Sequence, residues 1–423
     1  MESFARTARR GTAAIAGLLV LLLAAAPAAP AQSGGAEPPT PTGGSTPTGQ
    51  APSPAPDSNG PAGGGAAFRG TGMWIWQMPR AGSVSRVVAR ARRSNVRTVF
   101  IKSGDGGHRW GQFTSGLVSA LRAAGLHVCA WQYVYGSQPI AEANVGAAAK
   151  ARGAECLVID AESEYEGRYV AAGRYMRRLR ALVGQSFPIS LAPFPYVDYH
   201  PSFPYSVFLA PGAAQYDQPQ MYWFSIGTSV DTNFVHTYTW HRIYERPIFP
   251  LGESYGRTPA GQIRRFRQVA QAYNAAGVSW WEWTQTREAG WQALSAPVAA
   301  LTGYRVRVVY PRLRTGSRGD PVVWAQLRLW TAGFHTRLDG MFGSATRQAV
   351  LGFQAQAGLA QTGVLDQSTW SALLRHRPAT VTWVRAGRGI RAVASRAGGA
   401  VVAPAPRSAS LSARAREIPP KPH

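Results

Sequence analysis

The chain has 423 residues, with 45 lysines and arginines against 21 aspartates and glutamates, a formal charge of +24. That length exceeds one ordinary domain, and a content of 45% hydrophobic and 11% aromatic residues excludes a wholly disordered polycation. Two cysteines, Cys129 and Cys156, exclude a disulfide-built scaffold.

Residues 1–31 read as a signal peptide. Arg6, Arg9 and Arg10 precede an apolar run from Ala13 to Ala26, and Ala29-Pro30-Ala31 has the small-x-small form of a signal peptidase site. The run is shorter than the roughly 20 residues a spanning helix needs, so export is expected and stable membrane insertion is not. Export also makes nucleic acid an unexpected partner, and the sequence carries no nucleic-acid-binding motif. Residues 32–70 are rich in Pro, Gly, Ser and Thr and are expected to form a disordered linker, because they cannot bury enough apolar surface to offset the entropy of ordering.

From 71 to 303, short apolar runs alternate with stretches at helical spacing. The strand candidates are 73–77, 98–102, 126–132, 156–160, 188–192, 219–223, 248–252 and 278–283. Helical segments follow them, such as Val84 to Arg93, Arg168 to Val183 and Gln262 to Ala275. Eight strand and helix units in about 230 residues predict an α/β fold of the (β/α)8 TIM-barrel type. A doubly wound open sheet is the alternative. It usually offers a glycine turn after its first strand, where this chain has Gln77-Met78-Pro79-Arg80.

Barrel chemistry sits where strands end and the following loops begin. There the sequence places Trp74 and Trp76, Lys102, Trp131 and Tyr133, Tyr196, Gln220 and Tyr222, and Trp283 as candidate substrate-binding residues. Asp160, Glu162, Glu253 and Glu282 are the candidate catalytic residues. Carboxylates among aromatic rings suit a sugar polymer, because pyranose rings stack on aromatic faces and glycosidic cleavage uses paired Asp or Glu. In Leu157-Val-Ile-Asp160-Ala-Glu162 the strand period of two puts both acids on one face. Like charges so close raise one pKa and leave a protonated acid beside an ionised base. The alternative is a structural network with Lys102 or nearby arginines. Glu162 with Glu253, which closes the seventh strand, is a rival two-carboxylate scheme, and Glu282 is a third partner. Glu253 could instead cap a loop, and Glu282 could bond a tryptophan or arginine. The histidines show no zinc-binding spacing, so no metal or cofactor is expected. Cys129 and Cys156 fall on neighbouring strands, where a pair of buried thiols is expected.

Asp-x-Glu at the end of the fourth strand resembles the muramidases of glycoside hydrolase family twenty-five and the tail of the chitinase-type motif of family eighteen. Met221-Tyr222 and the Trp-rich eighth strand are similar to the latter. The resemblance implies hydrolysis of an N-acetylated glycan, with Glu162 as general acid and Asp160 orienting an N-acetyl group whose carbonyl attacks the anomeric carbon. The first strand, MWIWQ, lacks the Asp of the muramidases, and Cys156-Leu-Val-Ile replaces the longer acidic run of the chitinases. The resemblance therefore implies the superfamily and leaves the family open.

In 304–377, Asp320-Pro321 predicts a helix N-cap and first-turn proline, with helical spacing from Val322 to Trp330. Further helices are expected from Ser344 to Gln356 and from about Gln367 to Leu374, giving a small all-α three-helix bundle. Gly316-Ser-Arg-Gly-Asp320, Asp339-Gly-Met-Phe-Gly343, Phe353-Gln354, Gly363-Val364 and Thr369-Trp370 closely resemble the peptidoglycan-binding domain of bacterial wall hydrolases. That resemblance implies peptidoglycan or a related wall glycan as partner. Residues 378–423 are basic without sustained periodicity and are expected to be disordered. The bundle segment carries 10 basic against 3 acidic residues and the tail 8 against 1, so more than half of the net charge left after signal cleavage lies in the last third. Together these readings predict a secreted, wall-associated, monomeric glycoside hydrolase. The alternative is a wall-glycan-binding protein with a non-catalytic barrel.

Overall fold

The computed structural model describes residues 65–386, 389–396 and 399–404, so the predicted signal peptide and nearly all of the linker lie outside the described residues. Eight parallel strands form one ring: β1 Gly70–Ile75, β2 Val96–Asp105, β3 His127–Val134, β4 Leu157–Ala161, β5 Ile189–Ala192, β6 in two pieces (Tyr216–Asp217 and Gln220–Met221), β7 Leu251–Glu253 and β8 Gly277–Trp281. Each pairs with the next, and β8 returns to β1 with Gly70 opposite Gly277 and Met73 opposite Trp280. The break in β6 falls at Gln218-Pro219, where proline has no N–H for a ladder. The ring still closes across it. Gln218 N donates to Leu191 O at 2.7 Å on one side, and Phe249 N donates to Asp217 O at 2.7 Å on the other. The open-sheet alternative is thereby excluded. Pro247 and Pro250 shorten β7 from the expected 248–252 for the same reason.

Strand alternation sorts the side chains into two layers. On β4, Leu157, Ile159 and Ala161 pack outward against the helices, while Val158 and Asp160 face the barrel axis. The helices are α1 Val84–Arg93, α2 Ser115–Ala123, α3 Pro139–Ala151, α4 Tyr169–Val183, the single turn α5 Tyr205–Phe208, α6 Val230–His241, α7 Ala260–Ala272 and α8 Glu288–Ser295. In α1, Ser83 caps the first turn by accepting from Arg86 N, Val87 and Ala91 are buried, and Arg86, Arg92 and Arg93 stay in solvent. The barrel interior is filled with rings, among them Trp74, Phe100, Trp131, Phe249 and Trp281, so it is a packed core and not a channel.

The expectation of two free thiols is corrected: Cys129 and Cys156 form a disulfide inside the barrel. They sit side by side on β3 and the entry to β4, where Ala130 N donates to Cys156 O, and their Cα atoms are 4.7 Å apart. That spacing lies within the range a disulfide spans, so parallel neighbours supply the geometry after all.

The bundle consists of α9 Asp320–Thr331, α10 Ser344–Gln356 and α11 Gln367–Leu373. Every residue of α9 from Asp320 to Trp330 is buried, because this helix lies between its own bundle and the barrel. Asp320 does not cap its helix as expected. Its carboxylate accepts from Ser206 N at 2.8 Å, Ser206 Oγ at 2.6 Å and Tyr244 Oη at 2.7 Å, all barrel donors. Gly319 takes the capping position with φ +99, and a β-carbon there would lie 2.4 Å from Pro201 O, so this close approach requires glycine. Trp324 Nε1 donates to Ile243 O, and Arg328 pairs with Glu245 while also donating to Leu374 O and His376 O. The two cores run together as one apolar cluster.

The expected disorder after Pro378 is corrected for part of the segment. Val381–Ala386, Gly389–Arg396 and Gly399–Pro404 form an antiparallel three-stranded sheet, β9 to β11. Trp383 is buried with its ring 4.6 Å from that of Tyr169 on α4. Period-two alternation in VTWVRA was the available signal, masked by the Ala and Arg content. Residues 405–423 lie outside the described residues. No helix among the described residues is long and apolar enough to cross a membrane.

Candidate active site

The C-terminal ends of the strands gather most of the expected residues. Asp160 is fully buried at the end of β4 and Glu162 follows it half-exposed, as the period-two argument requires. One side-chain amide holds the two together. Gln220 Nε2, on β6, donates to Asp160 Oδ1 at 3.2 Å, Glu162 Oε1 at 3.1 Å and Ala192 O at 3.2 Å. Because an amide nitrogen only donates, all three oxygens it meets are acceptors.

Two tyrosines border this pair. Tyr133, at the end of β3, donates to Glu164 Oε2 at 2.9 Å, and burial together with the charges of Glu162, Asp160 and Glu164 pushes its pKa far above the ordinary 10. Tyr222, just past β6, is buried, and its pKa is also raised by burial and by Tyr255, Asp160, Glu162 and Glu253. Both phenols therefore stay protonated as donors. The Tyr222 hydroxyl is buried with no hydrogen-bond partner among the described residues. A donor so placed is available to a solute oxygen arriving beside the carboxylates.

Lys102 lies on the opposite wall. Its ammonium is 4.3 Å from the Trp110 ring centroid, 4.9 Å from Trp131 and 5.8 Å from Trp76, and it pairs with Asp105 Oδ2 at 2.5 Å. Asp105 in turn accepts from Tyr135 Oη at 2.8 Å. Lys102 is thus paired with Asp105.

The other candidates separate. Trp74 is fully buried among Phe100, Trp131 and Trp281, one layer below the mouth. Trp283 packs edge-on to Trp291 of α8, in the outer layer away from the mouth. Tyr196 is buried in the loop after β5, stacked on His236 at 4.0 Å and bonded to Asn233. Glu253 is fully buried, and its two oxygens accept from Phe224 N, Ser225 N and Ser225 Oγ. Burial pushes its pKa up, against those donors, which pull it down. Glu282 turns back on its own loop, accepting from Thr284 Oγ1 at 2.5 Å and Gln285 N at 2.7 Å. Sequence reasoning missed Trp110, in the loop after β2, and Ser225, in the helical turn after β6, and their position just past strand ends was the signal.

Among the described residues, no cluster of three or more His, Cys, Asp or Glu side chains is arranged to hold a metal ion. Among curated proteins none matches this sequence. A peptidoglycan-binding protein of Clostridioides difficile is 37% identical over 15% of this chain and 41% of its own length, with a TM-score of 0.15. The chain thus spans less than half of that relative. The spore cortex-lytic enzyme SleL of Bacillus cereus is 11% identical over 53% of this chain and 73% of its own, TM-score 0.42. A class V chitinase of Pseudomonas fluorescens is 11% identical over 53% and 98%, TM-score 0.43. Residues 318–373, which span all three helices of the bundle, match the family model for a peptidoglycan binding domain.

Proposed function

We propose that the chain is a secreted, wall-associated glycoside hydrolase that cleaves an N-acetylated β-linked polysaccharide, with peptidoglycan as the favoured substrate. The observation that carries this reading is the Gln220 amide shared by Asp160 and Glu162 at the mouth of a closed barrel. In the proposed reaction Glu162, as the carboxylic acid, gives its proton to the glycosidic oxygen as the bond to the anomeric carbon breaks. The substrate's N-acetyl carbonyl oxygen attacks that carbon, and Asp160 orients the acetamide through its N–H. Water then opens the cyclic intermediate, and Glu162 takes back a proton from it. The Tyr222 hydroxyl supplies a further donor at the same place. Wall association is supported by the matched domain at 318–373.

Purified protein incubated with wall glycan or soluble N-acetylglucosamine oligomers tests this directly. Release by wild type and loss of about a thousandfold or more in Glu162→Gln is expected. Glycan binding without release, in wild type as in the variant, would instead identify a non-catalytic binding barrel.

A further inference from the structure

β4 ends at Ala161, so Glu162 stands just past the ladder and its place is set by the turn that follows. Tyr165 N donates to Glu162 O and Glu166 N to Ser163 O, both at 3.0 Å. Along this turn three acids are tied to three different walls. Gln220 meets Glu162, Tyr133 meets Glu164, and Glu166 accepts from His200 Nδ1 at 2.8 Å and Ser202 Oγ at 2.7 Å. Burial works against ionisation of Glu166, yet the bonds from His200 and Ser202 outweigh it and hold its carboxyl below the ordinary value. Both bonds are therefore charge-assisted. Gly167 N adds a main-chain bond to Ser202 O at 2.8 Å, and the His200 ring lies flat on Phe194 with centroids 3.5 Å apart.

The residue between His200 and Ser202 makes a second contact, with the bundle. Asp320 N, at the start of α9, donates to Pro201 O at 2.7 Å, and Gly319 packs so tightly there that a β-carbon would lie 2.4 Å from the same oxygen. Pro201 is thus held by the bundle on one side, while its two neighbours hold Glu166 on the other. Glu166 closes the turn that Glu162 opens. A turn fixed at both ends shifts when one end is released, and misplacing a catalytic group by about 1 Å costs roughly 100-fold in rate.

We infer that Glu166 and His200 are positioning residues for Glu162, and that the first turn of α9 completes this support by holding Pro201. The bundle then serves as part of the active-site framework as well as a wall anchor. This rests on the proposed hydrolysis with Glu162 as general acid.

The test uses the full chain and soluble N-acetylglucosamine oligomers, which need no attachment to the wall. Glu166→Ala should lower kcat about 10- to 100-fold with KM within about twofold of wild type. Glu166→Gln, whose amide still reaches Ser202 and His200, should keep most of the rate. Gly319→Ala, a change in the bundle, should lower kcat about tenfold while the protein still sediments with the wall, and its effect should not add to that of Glu166→Ala. If Gly319→Ala does not fold, Asp320→Asn is the milder change at the same contact. Hydrogen exchange reads the ties without turnover: the Gly167 amide should exchange about tenfold faster in both variants, with the β1 amides unchanged. Wild-type kcat in folded Glu166→Ala or in the folded bundle variant would overturn the inference, and so would unchanged exchange at Gly167. A wild type that turns over no oligomer fails the hydrolase reading alone. Exchange then decides the ties, faster exchange at Gly167 sustaining them and unchanged exchange sinking them.

Discussion

Replacing Asp320 probes the joint between barrel and bundle. The carboxylate is fully buried, and burial pushes its pKa up to about 6 from 3.8 although Ser206, Tyr244 and Tyr169 all donate to it and pull the value down. Folding thus raises this pKa, so between about 3.8 and 6 the folded chain holds a proton that the unfolded chain has lost, and stability falls as pH rises through that window. The difference corresponds to about 3 kcal/mol, fully expressed above pH 7 and absent below pH 3.8. Asp320→Asn removes the titration but turns an amide N–H toward one of the donors, at a cost of about 1–3 kcal/mol that does not vary with pH. Urea unfolding of wild type and Asp320→Asn from pH 4 to 7.5 reads both effects. Wild type should lose about 3 kcal/mol relative to the variant across the window, with the gap flat beyond pH 7. Parallel pH profiles in the two proteins would refute a buried, ionised carboxylate at the joint.

Two further outcomes follow from the barrel itself. Cys129 and Cys156 close a loop with a sequence separation of 27, for which loop-closure entropy gives about 3.5 kcal/mol. A double alanine variant should therefore melt several degrees below oxidised wild type, and equal melting would contradict the bond. Gln220→Leu removes the donor shared by Asp160 and Glu162. Turnover should fall about 10- to 100-fold, and the acidic limb of the rate profile should move to higher pH, because a carboxylate that loses a donor is more easily protonated. An unchanged pH–rate profile would show that the amide does not tune the pair.

The barrel was legible because its strands repeat a strong signal. CLVID and TVFIK carry apolar runs buried on both faces, and each ends at a charged residue. The Asp160 and Glu162 pair was legible for a related reason, since period-two geometry is local. What stayed hidden depends on contacts distant in sequence. The partner of Asp320 lies 114 residues away on Ser206, and a local reading of Asp-Pro favours an N-cap. Glu253 reads as a nucleophile at a strand end, yet its oxygens serve a turn 28 residues earlier. Trp283 alternates with inward-facing positions, but β8 ends at Trp281 and the chain turns outward before reaching it. The disulfide was missed because geometry typical of parallel strands was weighed above the local spacing of this pair.

Mass spectrometry of borohydride-reduced fragments after incubating purified bacterial wall with the full chain tests the central claim most directly. The account predicts new reduced N-acetylated sugar ends with wild type and their absence with Glu162→Gln, with both proteins still sedimenting with the wall through the bundle. Equal amounts of new ends from wild type and Glu162→Gln, or none from wild type while it sediments with the wall, would contradict it.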